Sequence, residues 1–287
     1  MNNDFETVAG KKGLEAFNER EAIERLRTLG VENVNFAFRI PEENSLDGQP
    51  IDAEIFWLQV KKPEGEEFAD MADIEGKLYL PRASVDKELI LFTPGFPGGN
   101  AGRFEQRYAK PFVENGYAFF TVRHNGTSLT NGEVSSEILN SQKRMEISQA
   151  TGEPHIGGTK PDGYSPVDIV NEPVSPLLAL QKRFEKIHLM GQSIGVSASY
   201  NALRRLQNHP EVTAKIGNVV GIAGYVGGTE KTREGILDGE KMPIWELTDY
   251  EYEYARKVDA NLVPKERFAE EMGKVAEFNS GMVVPEH

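Results

Sequence analysis

The chain has 287 residues, a net charge of −13 and a pI of about 5.0, which excludes a basic nucleic-acid-binding or anionic-membrane-binding surface. It has no cysteine, so disulfides, Cys–zinc sites and thiol chemistry are excluded as well. Apolar residues make up 39% and charged residues 27%, enough to build one large domain or a domain plus a cap, and unlike a disordered chain.

Residues 13–29 read as an amphipathic helix, with Leu14, Phe17, Ile23, Leu26 and Leu29 on a broad face and Gly30 as C-cap. Val34 to Ile40 alternates apolar and polar residues, as a half-buried strand does, and Ile51–Val60 and Ile74–Leu80 are further strand candidates. Residues 31–82 are therefore expected to form an antiparallel lead-in sheet. From residue 87 the pattern changes. Leu89 to Thr93 and Tyr117 to Val122 are continuous apolar runs, expected of strands buried on both faces. Between them lie a Gly/Pro loop, residues 94–102, and a helix from Phe104 to Glu114 stopped at Gly116. Residues 125–167 form a long polar stretch of the kind that covers a site. A helix is expected from Asp168 to Phe184, its start bounded by Pro173 and Pro176, then a strand over 186–190 and another over Ile216–Ala223. Strands alternating with helices imply βαβ units and a mostly parallel sheet.

Residues 229–280 read as mainly helical, with Phe268, Met272 and Val275 on one face after Pro264. Trp245, Tyr250, Tyr252 and Tyr254 lie upstream and read as cap core before they read as pocket. The expected organisation is a core over 1–228, a helical cap-like segment over 229–281, and the possible start of a truncated seventh strand over 282–287. The N-terminus, Met1-Asn2-Asn3-Asp4-Phe5-Glu6, is acidic and lacks a secretory apolar region, and no apolar run approaches membrane-spanning length. A soluble cytoplasmic protein is the default expectation.

The densest signal lies between Lys186 and Gln207. An apolar run of strand length, Ile187 to Met190, leads into Gly191-Gln192-Ser193-Ile194-Gly195. A helical apolar spacing follows at Val196, Tyr200, Leu203 and Leu206. A strand that turns sharply into a helix needs glycine on either side of the turn residue, because a Cβ there would clash where the backbones approach. Such a turn leaves Ser193 on a strained tip at the positive end of a helix. The bland alternative is a strand–helix junction with an ordinary N-cap serine.

The Gly/Pro loop after Leu89–Thr93 and the G-x-S-x-G after a later strand fall at the same carboxyl edge of a parallel sheet, where sites form. This arrangement, over about residues 75–228, resembles the α/β-hydrolase family. The resemblance implies an α/β fold: a mostly parallel sheet with flanking helices, an N-terminal antiparallel extension and a helical cap insertion. It implies Ser193 as nucleophile and an oxyanion hole made by the backbone N–H groups of Phe96 and Ile194. Pro97 has no N–H and cannot donate. The loop departs from the family's usual His-Gly start, since position 94 is Pro, which changes loop bracing rather than the donor. A phosphate-binding nest is the alternative for this loop, but it lacks G-x-G-x-x-G and G-K-[ST].

The family order places an acid and then a histidine after the serine on two further strands. Here a cap-like block fills most of the chain beyond Ala223. Of the five histidines, His188 lies within the strand before the turn, His209 at the far sheet edge, and His287 at the terminus. His124 follows Tyr117–Val122 on the same edge as Ser193, and His155 sits in the long polar stretch. These two are the base candidates, and Glu230 is the best-placed acid. The expectation is a chain cut short before its last two strands.

The resemblance thus implies a serine hydrolase acting on a small-molecule ester, thioester or amide, with no metal or organic cofactor, since H-E-x-x-H is absent and the histidines are scattered. The second reading is a non-catalytic α/β-hydrolase-like module that binds a ligand under its cap. The feature that discriminates between them is a histidine within reach of Ser193.

Overall fold

The computed structural model describes residues 19–40, 42–82, 87–95, 101–124, 165–222, 234–237, 240–243, 252–253, 256 and 263–280. Helix α1 (Glu19–Thr28) ends in a Schellman turn: the N–H of Val31 reaches the Leu26 carbonyl at 3.0 Å and that of Gly30 reaches Arg27 at 3.0 Å, with Gly30 at φ 83°. Residues 13–18 of the expected helix lie outside the described residues.

Strands β1 (Val34–Ile40), β2 (Ala53–Val60) and β3 (Ile74–Pro81) form the expected antiparallel meander. The polar connector before β3 carries a 3-10 turn, Glu66–Phe68, whose Phe68 is buried. Then follow β4 (Glu88–Thr93), helix α2 (Ala101–Glu114) and β5 (Ala118–Arg123). After residue 165 come α3 (Pro166–Asn171), α4 (Val174–Leu180), β6 (Lys186–Gln192), α5 (Ile194–Arg205), the single turn α6 (Pro210–Thr213) and β7 (Ile216–Ile222).

The single helix expected from Asp168 to Phe184 is two short helices. Pro173 caps the second of them without a side-chain hydrogen bond. A proline at 173 supplies no N–H to the carbonyl four residues back, so α3 stops at Asn171 and the chain restarts. The segment expected to be mainly helical carries α7 (Lys265–Ser280) but also an antiparallel strand pair, β8 (Glu234–Leu237) with β9 (Glu240–Pro243). With four residues each, these strands are too short for an alternating pattern to stand out in the sequence.

The seven-stranded sheet has the order β1-β2-β3-β5-β4-β6-β7. The pairings make β2, β4, β5, β6 and β7 run in one direction, with β1 and β3 against them. The fold is thus α/β, a mostly parallel mixed sheet between helical layers. On one face Leu58, Leu78, Phe120, Leu91 and Leu189 pack with Leu26, Leu177, Leu180, Ala202 and Leu206 of the helices. On the other, Ile55, Tyr79, Phe119, Phe92 and Met190 pack against Ala109 and Val113 of α2.

That layering creates one special point. From β4 the chain crosses through α2 to β5 on one side. From β6, which pairs with the opposite edge of β4, it crosses through α5 to β7 on the other side. Adjacent strands whose connections leave in opposite directions open a crevice at their carboxyl ends. Thr93 ends β4 and Gln192 ends β6, so the crevice opens between residues 93–95 and Ser193.

Candidate active site

Ser193 sits at that crevice with φ 51° and ψ −122°, one of two described non-glycine residues with positive φ. A side chain at such dihedrals costs about 1–3 kcal/mol, which the surroundings must impose. Its N–H bonds the Ile222 carbonyl at 2.9 Å, and its carbonyl accepts from Val196 at 3.0 Å. The hydroxyl makes no capping hydrogen bond to α5. An ordinary N-cap serine would lie in the extended region and cap the N2 or N3 amide. Ser193 does neither, and it is half-exposed.

The two flanking glycines are required by space. A Cβ on Gly191 would stand 2.3 Å from the Gly195 carbonyl oxygen, and one on Gly195 would stand 2.1 Å from the Thr93 carbonyl oxygen. A Cβ on Gly95 would meet the Ser193 Cβ at 3.0 Å. The end of β4, the residues after it and the turn after β6 are therefore pressed together around the serine. Ile194 begins α5, so its N–H is one of the four that a helix start leaves without an intrahelical partner. Ile194 also packs with Ile169 and Val170 of α3 and with Tyr252, Phe268 and Val275, so α7 lies over the helices beside the turn. Tyr252 belongs to this core; Trp245, Tyr250 and Tyr254 of the aromatic segment lie outside the described residues.

His124 follows β5 on the same edge. Its side chain is buried, as is that of Glu172, which sits between α3 and α4. His124 Nδ1 lies 2.5 Å from Glu172 Oε2, and its Nε2 lies 3.1 Å from the Pro94 carbonyl oxygen. A carbonyl can only accept, so Nε2 carries the proton and donates it to Pro94. Both ring nitrogens are thereby engaged. Among the described residues, no imidazole hydrogen-bonds the Ser193 hydroxyl. Glu172 is the member of this edge that sequence reasoning missed. Its one signal was a carboxylate next to Pro173 within an otherwise apolar stretch.

The other candidates separate clearly. His188 is buried within β6 as expected, with Nε2 2.8 Å from Glu88 and Nδ1 accepting from the Asn218 N–H at 3.0 Å. That hydrogen bond holds the Glu88 carboxyl below its ordinary range. His209 caps α6 and contacts Phe68, away from the crevice. Phe96, His155, Glu230 and His287 lie outside the described residues. Among the described residues there is no group of three or more metal-ligating side chains, and no helix is long and apolar enough to cross a membrane.

Strand order, crevice and strained serine turn together give the α/β-hydrolase arrangement that the sequence resembles. No protein-family model and no curated protein sequence matches the chain. Several solved structures align with it. A dienelactone hydrolase from Anabaena variabilis does so at 18% identity and a TM-score of 0.34, over 60% of this chain and 64% of its own. The carboxylesterase EstE1, cloned from a metagenomic library, aligns at 12% identity and a TM-score of 0.42, over 94% of this chain and 72% of that one. Brefeldin A esterase, a bacterial protein, aligns at 13% identity and a TM-score of 0.41, over 97% and 60%. The chain thus spans less than two thirds of the dienelactone hydrolase it aligns with. At these scores the alignments carry no argument about chemistry, and the fold rests on its own strand order.

Proposed function

We infer that this chain is a serine hydrolase acting on a small-molecule ester, thioester or amide through Ser193. The observation that carries the reading is the positive φ of an uncapped serine wedged between two glycines at the sheet's topological switch point. Strain of this kind is retained where a reactive side chain must be presented. In the proposed reaction Ser193 Oγ attacks the acyl carbon, and the oxygen that gains charge is held by the amides of Ile194 and Phe96. The tetrahedral intermediate collapses and expels the alcohol, thiol or amine, and water then releases the acid from the acyl-enzyme. The hydroxyl proton goes to a base; of the two candidates, His124 has both ring nitrogens engaged elsewhere, which leaves His155 of the long polar stretch, with Glu230 as the acid candidate. No metal or organic cofactor enters this scheme.

The test is labelling with a fluorophosphonate and turnover of p-nitrophenyl esters of graded acyl length. Labelling at Ser193 with turnover, both lost in Ser193→Ala, is expected. Unlabelled, inactive wild-type protein would leave the second reading, a non-catalytic binding module. One observation favours that second reading: both His124 nitrogens are engaged away from the serine.

A further inference from the structure

We propose that His124 and Glu172 form a buried brace that positions the Pro94–Gly95 backbone against the Ser193 turn. The proposal rests on the serine hydrolase reading for its chemical consequence, and on geometry alone for its mechanical one. Three separate pieces of chain meet here. His124 comes from the end of β5, Glu172 from the break between α3 and α4, and Pro94 from the segment after β4. The Glu172 carboxylate fixes the ring through Nδ1 at 2.5 Å, and the ring in turn fixes the Pro94 carbonyl through Nε2 at 3.1 Å. His124 and Glu172 are each only 2% exposed, so water does not compete for these bonds.

The consequence for the serine runs through the same carbonyl. The Pro94 oxygen stands 2.9 Å from where a Gly195 Cβ would be, and Gly95 stands 3.0 Å from the Ser193 Cβ by the same measure. The Pro94–Gly95 backbone therefore has the serine turn on one side and the His124 ring on the other. Its position is fixed from both. A proline at 94 has no N–H and no polar side chain with which to hold the segment itself. The brace holds the segment through the one polar backbone group that proline keeps, its carbonyl. His124 and Glu172 are thus positioning residues; neither touches the reacting atoms.

A misplacement of about 1 Å at a reacting group costs about 10² in rate. His124→Ala should therefore lower kcat about 100-fold while KM stays within about threefold. Glu172→Gln should retain most activity, because the amide N–H can donate to a neutral Nδ1 while Nε2–H still donates to Pro94. A catalytic base oriented by Glu172 behaves differently: replacing the orienting carboxylate by an amide costs about 10⁴ through the wrong tautomer. The double variant His124→Gln/Glu172→Gln keeps a donor for Pro94 without any titratable group, and should exceed His124→Ala by tenfold or more.

Two results overturn the proposal. One is His124→Ala with wild-type kcat. The other is Glu172→Gln and the Gln–Gln pair both as inactive as His124→Ala while melting like wild type, which would make the ring a base. Amide hydrogen exchange at Gly95 gives a readout that needs no activity. Faster exchange in His124→Ala supports the brace even if wild type shows no Ser193-dependent hydrolysis, in which case the hydrolase reading alone fails. Unchanged exchange at Gly95 overturns the brace whatever the activity.

Discussion

A Cβ on Gly191 would lie 2.3 Å from the carbonyl oxygen of Gly195, four residues further on. The obstacle is backbone, which cannot rotate away as a side chain can. Gly195 faces the same restriction from Thr93, at 2.1 Å. Gly195→Ala should therefore cost about 3 kcal/mol, the upper end for overpacking, read from the urea midpoint at unchanged m-value. A cost under about 1 kcal/mol would mean that the turn can open, against the close approach described here.

Ser193 gives a sharper stability test. At a helix N-cap glycine is already preferred to alanine. At φ 51° and ψ −122° that preference should widen, because glycine relieves strain that alanine keeps. Ser193→Gly should be more stable than Ser193→Ala by about 1 kcal/mol in thermal melts, with both variants unlabelled by fluorophosphonate. Equal melting temperatures would remove strain from the account of this residue.

Lys77 is fully buried in β3, with its ammonium 3.1 Å from Glu43, which also accepts from the Tyr79 hydroxyl at 3.0 Å. Removing one member of a buried pair costs up to about 3–5 kcal/mol. Glu43→Ala should fall in that range. Lys77→Met with Glu43→Gln removes both charges, keeps an acceptor for Tyr79, and should recover most of the loss. A double-mutant cycle with additive terms would contradict the coupling.

Asp47 accepts from the Ser45 hydroxyl, from Lys110 Nζ at 3.0 Å and from the Gln49 N–H at 3.1 Å. The Ser45 bond, followed by those from Lys110 and Gln49, lowers its carboxyl to about 2. A carboxyl depressed on folding contributes stability that is present above its unfolded value. That stability is lost as pH falls toward the folded one. Asp47→Asn should therefore be the less stable protein at pH 7 and converge with wild type as pH drops from about 4 to about 2. The site is exposed, so the gap should be small and shrink with salt. A gap that widens on acidification would reverse the sign.

The outermost strand of the described sheet on the serine side is β7, and it presents Val220 at 48% exposure. An apolar residue on an unprotected edge invites pairing between copies, and a lysine blocks it. Sedimentation should show a mass that rises with concentration for wild type and stays flat for Val220→Lys. A wild type that remains monomeric throughout would show that this strand is not an open edge.

Much of this was legible beforehand, and the reason is local. Leu89–Thr93 and Tyr117–Val122 announce strands buried on both faces because each is an uninterrupted apolar run. The turn at Ser193 is legible because its spatial demand falls on residues two positions away, Gly191 and Gly195. Pro173 was legible as a helix boundary but not as the divide between two helices, since Leu177, Leu178, Leu180 and Phe184 all lie beyond it. The pair His124–Glu172 was not legible at all. Its members are 48 residues apart, and no period links them. The strands β8 and β9 were missed because four residues cannot establish an alternation.

The hydrogen bond from His188 to Glu88 joins residues 100 positions apart, at the start of the two strands that flank the crevice. A nascent chain therefore finishes β4 roughly 5–20 s before β6 can be offered to it, at about 5–20 residues per second. During that interval the β1–β3 meander, all of it local in sequence, can already be in register. The run Leu-Ile-Leu-Phe of β4, meanwhile, has no partner on its β6 side. The strand that ends at the candidate site is thus also the one most in need of shielding during biosynthesis, and the pairing that waits longest for its partner is the one that brings Ser193 to the crevice.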